Sequence, residues 1–329
     1  MAVADADLQV YAGAPYMAYL AEGTKVVGVS KLEGDVWSSV GGPAGTGEVG
    51  GGVDLQVHNG VPHVAFSALV SGDFVVQIMR FDGANWTAVS TAGIPPVSFQ
   101  RHVMLRIVNA RFYVSYVTYS GGRHRVDVWS STELSGASWS QVGSGLSDVS
   151  PIDAAQTRFK YAMNVDPAGV VLVAKAYDWL VVYSATGSAW NIAGSGYVGW
   201  QATGLDSLAL ELEGTTPYVA YNFGAAQELR VKRLNGSAWE LVGASNFTGG
   251  SARALHLSIA DAPYVAYADG THGGRTSVQR FDGTTWELVG EAGFSSVASD
   301  VMGFHVYEGV PYLAYTNADP ALVCERYAP

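Results

Sequence analysis

Seven polar or charged residues of differing type recur at one repeating register, each between two apolar neighbours: Gln9, Gln56, Arg106, Asn164, Glu211, His256 and His305. Gathered in one ring, an arginine, a glutamate and two histidines would hold an anion, a metal or a polar ligand. The same seven would serve equally as the lining of a wet channel, or as hydrogen-bonding groups between neighbouring repeats, because buried polar groups find partners. For catalysis, Glu211 is the candidate acid or base, with His256 and Arg106 as electrostatic helpers. Glycoside hydrolysis needs a second carboxylate, about 5–9.5 Å from the first. Asp54 and Asp206 are the available choices.

A second set stands outside the repeat. Trp179 and Trp200 occupy segments where the other copies carry no tryptophan. Exposed indoles there would stack on a sugar or anchor a protein partner, with Arg123, His124 and His272 as polar contacts. The bland alternative is that both rings cover a local insertion as core. Lys175 replaces the aromatic that closes the repeat motif elsewhere (Tyr19, Phe66, Tyr116, Tyr221, Tyr267 and Tyr315). It is expected to pair with Asp178 or to run its stem out to solvent.

Metal and nucleotide chemistry leave little trace. The chain has no His-x-x-x-His, no cysteine pair, no calcium loop and no phosphate loop, so no metal and no cofactor is expected. Only His256 and His305 would approach across adjacent repeats. The net charge of −11, with 18 basic residues scattered along the chain, argues against a nucleic-acid partner. Cys324 is the only cysteine and excludes an intramolecular disulfide framework. No apolar run reaches the ~20 residues of a membrane span, so no membrane insertion is expected. The first residues, Met1-Ala2-Val3-Ala4-Asp5, lack the charged and apolar regions of a signal peptide. The sequons at Asn85, Asn235 and Asn246 decide nothing by themselves.

What must position these groups is a repeat. Its clearest copies are Pro217–Gly243 and Pro263–Gly290, each reading Pro-Tyr-Val-Ala-Tyr, a loop, then a Trp-Glu-Leu-Val-Gly segment. The first slot falls at Pro15, Pro62, Phe112, Val171, Pro217, Pro263 and Pro311, in steps of 47, 50, 59, 46, 46 and 48. Within the sixth copy, Ala254–Ser258, Pro263–Tyr267, Thr276–Phe281 and Thr285–Val289 read as four strands, with the Asp282-Gly283 turn before the last. Four antiparallel strands per unit describe a β-propeller blade, and seven copies predict a seven-bladed, all-β propeller as one domain over residues 1–329. Fourth-strand tryptophans number six: Trp37, Trp86, Trp139, Trp190, Trp239 and Trp286. Either the seventh blade has three strands, which is the expectation taken here, or the chain is cut from a longer repeat array; its third strand (Ala321–Tyr327) would be a natural place for pairing with another chain.

The turns Phe81-Asp82-Gly83 and Phe281-Asp282-Gly283, each leading to a tryptophan, resemble the Asp-box hairpin of sialidase-type propellers, although here Asp and Gly adjoin. The whole repeat is similar to the Tyr-Val-Ala-Tyr and Trp-Glu-x-Val-Gly propellers of microbial secreted and cell-surface proteins. That resemblance implies a secreted or surface setting but says little about the ligand; the function expected here is a non-catalytic recognition module for a glycan or protein. A sialidase would need an arginine cluster and a Tyr/Glu pair, and no Arg-Ile-Pro segment is present. Length variation points to one face for the ligand, where the 2–3 loops and the connections between blades lie, including the insertion from Ser144 to Lys160. The rival readings are a glycan-active enzyme at the channel mouth and a purely structural scaffold.

Overall fold

A computed structural model describes residues 2–96, 103–120, 123–147, 160–176, 179–200, 205–298, 300–316 and 322–326. The fold is a seven-bladed β-propeller. Six blades have their four strands antiparallel and in chain order, and the seventh has three, Val301–Tyr307, Val310–Thr316 and Leu322–Arg326. In the third and fourth blades the outermost strand is broken in two. There Trp139–Gln141 and Leu146–Ser147 both pair with Arg123–Ser131, and Trp190–Ile192 and Gly199–Trp200 both pair with Trp179–Ala185. The only helix among the described residues is a 3₁₀ turn at Gly270–His272. None is long and apolar enough to cross a membrane.

The chain packs as two compact units. One comprises Met1–Pro151 with Gly187–Ala189 and Pro320–Leu322; the other comprises Ile152–Thr186, Trp190–Asp319 and Val323–Pro329. The first holds blades one to three and the second holds blades four to seven. In each, the core lies between neighbouring blades. Phe66, Leu55 and Val64 pack with Ala18 and Val29, and Tyr267 and Val265 pack with Tyr218 and Val231. Second strands such as Pro263–Asp269 are buried at every position, which explains their run of apolar and aromatic residues.

Two motif residues acquire their reason here. In the Asp-Gly turn, Asp82 Oδ1 accepts the backbone N–H groups of Ala84 (2.9 Å) and Asn85 (2.7 Å), and Asp282 does the same for Thr284 and Thr285. The following glycines take φ of 103°, where a side chain would be strained. The Trp-x-x-Val-Gly segment is a joint between blades. Its valine N–H donates to the blade's own third strand, as Val242 does to the Val231 carbonyl at 2.9 Å. In blades one, four and five the carbonyl at this slot accepts the next blade's indole; in blade two that of Ser90, one residue further, does so, and Trp190 Nε1 of blade four has no hydrogen-bond partner among the described residues. Trp86 Nε1 donates to Val40, Trp139 to Ser90, Trp239 to Ala193 and Trp286 to Val242, at 2.7–3.1 Å. The glycine that follows lets that indole approach: a Cβ on Gly243 (φ 72°) would stand 2.9 Å from Trp286.

The turns between second and third strands are short in most blades, as at Ser71-Gly72. Length variation therefore sits in the connections between blades rather than in the 2–3 loops. The insertion at 148–159 lies outside the described residues.

Candidate functional site

The aromatic pair at the end of the fourth blade is built by strand alternation. Trp179 opens the strand Trp179–Ala185, and its backbone partner across the ladder is Trp200. Successive side chains point to opposite faces. Thus Leu180 and Val198 are fully buried, while their neighbours Trp179 and Tyr197 turn outward with 46% and 57% of their surface exposed. The two outward rings lie 4.5 Å apart between centroids, tilted by 32°. Three bonds or close contacts fix the backbone beneath them. Val198 N–H donates to the Leu180 carbonyl at 2.9 Å, Lys232 Nζ donates to the Val198 carbonyl at 2.7 Å, and Gly199 lies against the Tyr221 hydroxyl. Burial pulls the Lys232 ammonium below its ordinary range.

Of the other residues expected beside these rings, Arg123 begins the third strand of blade three, in the other compact unit. His124, next to it, is buried, whereas a ligand contact would need an open ring. His272 belongs to the sixth blade, where its Nδ1 bonds Asp269 Oδ2 at 3.0 Å. The same buried carboxylate accepts Thr271 and Ser277, so His272 closes a local polar knot. Tyr197 escaped the sequence reading. Its signal was an aromatic inside the glycine-rich stretch Gly194–Trp200.

The first-strand residues are engaged in a different task. Gln9 Oε1 accepts the Val57 N–H of the next blade, as Asp7 accepts Leu55 (2.8 Å) and Asp5 accepts Val53 (2.9 Å). Arg106 pairs with Asp54 at 3.1 Å and also donates to the Leu105 carbonyl. Gln56 Nε2 donates to its neighbour's carbonyl, Leu55 O. Asn164 donates to Glu211 Oε2 (3.0 Å) and to the Leu210 carbonyl. His256 Nε2 donates to the Val301 carbonyl at 3.1 Å, and Ser258 Oγ accepts the Val306 N–H. Except for Gln56, which bonds its own strand, these side chains clasp one blade's first strand to the next.

Burial sets the charge of this row. It pushes the His305 imidazole down to about 4 and lowers that of His256, so both are neutral at pH 7. It raises the Asp5 carboxyl to about 6. Asp7 and Asp54 are raised as well, by burial first, with each other's charge adding for Asp7 and Arg106 opposing in both.

For an acid/base pair, the arrangement offers little. Glu211 is held by Asn164, Asp54 is held by Arg106 in the other unit, and Asp206 accepts Gln227 Nε2. Among the described residues no three His, Cys, Asp or Glu side chains group as metal ligands. Lys175 neither snorkels nor reaches open solvent. It is buried, with Nζ 5.8 Å from the centre of the Tyr183 ring, an environment that suits a cation over an aromatic face.

No family model matches the chain, and no curated protein does so either. Solved structures do. The polysaccharide lyase Uly1 aligns with a TM-score of 0.60 at 10% identity, over 97% of this chain and 88% of its own. The fungal lectin of Aleuria aurantia, a six-bladed propeller with a fucose recognition mode, aligns at 0.56 and 11% identity over 86% of this chain and 93% of its own. The lectin SapL1, solved with alpha methyl fucoside, aligns at 0.51 and 14% identity over 84% and 95%. At these identities the likeness is one of fold.

Proposed function

We propose that this propeller is a carbohydrate-binding module whose ligand stacks on the Trp179–Tyr197 platform. The observation that carries the reading is two large aromatic rings, each about half exposed, packed against each other at the edge of the fourth blade. Such rings present broad apolar faces at small conformational cost and suit the C–H faces of a pyranose ring. The platform's backbone is pinned by Lys232 and by the buried Leu180 and Val198, so little ordering remains to be done on binding. That propellers of similar fold include lectins solved with fucosides supports the class of ligand. A secreted or cell-surface setting, where glycans are displayed, goes with this role.

A glycan array with the purified chain tests it, beside the Trp179→Ala/Tyr197→Ala variant. Specific binding should fall by roughly thirtyfold or more in the variant, as expected for loss of an aromatic anchor. Binding that survives unchanged would place the site elsewhere, and a folded chain that binds no glycan would end the reading.

A further inference from the structure

The strand that supports the Trp179–Tyr197 platform from blade five departs from the repeat in its charge. Arg230 and Lys232 stand two residues apart on the third strand of that blade, Glu228–Asn235, and so share one of its faces. By register against the second strands, the Lys232 position is Ser30, Met79, Trp129, Tyr183 and Gln279 in blades one to four and six. The Arg230 position in the same blades is Gly28, Gln77, Asp127, Val181 and Ser277. Of these six blades only the fifth carries cations there, and it is the one whose third strand meets the platform.

Both cations belong to the surroundings of the backbone that carries Tyr197. Lys232 Nζ lies 2.7 Å from the carbonyl of Val198, the next residue along. Arg230 stands opposite Tyr221 across the ladder, and a Cβ on Gly199 would lie 3.0 Å from the Tyr221 hydroxyl. The guanidinium stacks over the Phe223 ring at 3.6 Å and bonds Glu228 Oε2 through Nη2 at 3.1 Å, while its buried Nε has no hydrogen-bond partner. Lys232 differs from Arg230 in having no carboxylate partner among the described residues. The charge that acts on it is that of Arg230, which adds to burial in holding the ammonium below its ordinary range. A half-buried cation beside a like charge, with only a carbonyl to bond, is stabilised by any anion brought to it.

We propose that the platform's ligand is an acidic glycan, one pyranose stacking on Trp179 and Tyr197 while its carboxylate or sulfate group is held by Lys232, with Arg230 adding its charge. This rests on the platform reading above and gives the sugar a charge. Lys232 meets either group as a compact point charge on a flexible stem, so the site selects for an anion more than for its shape.

An array of uronate-containing, sulfated and neutral glycans, probed with the whole chain, is the first test. An acidic class is expected to bind best. The chain's net charge of −11 opposes non-specific adsorption of such polymers, so their binding reports a local site. The best binder is then titrated by calorimetry beside its methyl-esterified or desulfated form, which separates the two sources of charge. The acid should bind roughly tenfold or more tightly than its neutral form. That ratio should fall towards one in Lys232→Gln and persist in Lys232→Arg, whatever the absolute affinities. Neutral glycans bound as tightly as acidic ones, and lost in Trp179→Ala/Tyr197→Ala, would overturn the acidic ligand and leave the platform standing. A ratio unchanged in Lys232→Gln would do the same. Acidic glycans bound equally well by Trp179→Ala/Tyr197→Ala would overturn both, as would a folded chain that binds no glycan.

Discussion

Blades one and two, two and three, and four and five are each joined twice, and the two joints are made differently. At the outer strands the joint is one residue type: an indole N–H on the preceding blade's carbonyl, with a glycine following that carbonyl at Val40, Ala193 and Val242 but not at Ser90. At the first strands the joint changes from blade to blade. Asp5, Asp7 and Gln9 accept N–H groups, Asn164 and His256 donate to carbonyls, and Arg106 pairs with Asp54. The outer joint is largely apolar surface with one hydrogen bond, indifferent to pH. The inner joint is polar and ionisable. Blade geometry is thus kept by the repeated element, while the variable element fine-tunes each contact and exposes it to solution conditions.

Breaking the outer joint should have the largest effect. Trp286→Ala removes the bond to Val242 and the stack on Phe247, and should cost about 3 kcal/mol in urea-induced unfolding. Gly243→Ala attacks the same joint from the other side. It forces a side chain into φ of 72° and within 2.9 Å of Trp286, for a loss of roughly 2 kcal/mol by the same measurement.

The inner joint should reveal itself through pH. Burial pushes the Asp5 carboxyl up to about 6 in the folded chain, from its ordinary value of 3.8 when unfolded. Its protonated form is therefore favoured by folding. The contribution is fully present below the unfolded value and is lost as pH rises through about 6. Asp7 and Asp54, also raised, act in the same direction. Thermal unfolding of the wild-type chain should show stability declining from about pH 4.5 to pH 7.5, and Asp5→Asn should reduce that slope whatever its baseline. A flat profile would mean that these carboxylates are better solvated than their burial implies. Smallest of all should be Trp179→Ala, which touches neither joint. Its stability should stay within about 0.5 kcal/mol of the parent while glycan binding is lost.

The same contrast governs what could be read from the chain. The blade count was legible in the seven first slots from Pro15 to Pro311, and the three-stranded seventh blade in the fact that Trp37, Trp86, Trp139, Trp190, Trp239 and Trp286 repeat only six times. The first-strand row was legible as a register but not as a function. Nothing in the types Gln, Arg, Asn, Glu and His says whether they face a ligand or the next blade's backbone. Asp5 and Asp7 went unnoticed although they share a face with Gln9, since only one position per blade was compared. Trp179 stood out because it broke the pattern. Tyr197 did not, because the exposure of its ring depends on Val198 pointing inward, which is settled by the pairing with Leu180 and not by composition.

The indole joint also has a direction. At the four joints made by Trp86, Trp139, Trp239 and Trp286, the earlier blade offers the carbonyl and the later one the indole, so the two sides of such a joint are not interchangeable. A cut through the connection between blades five and six would leave an open carbonyl on one fragment and an unmet indole on the other. Two such fragments, expressed apart, would each carry one half of the Trp286–Val242 joint, which makes that connection a natural place to split the chain for a reporter.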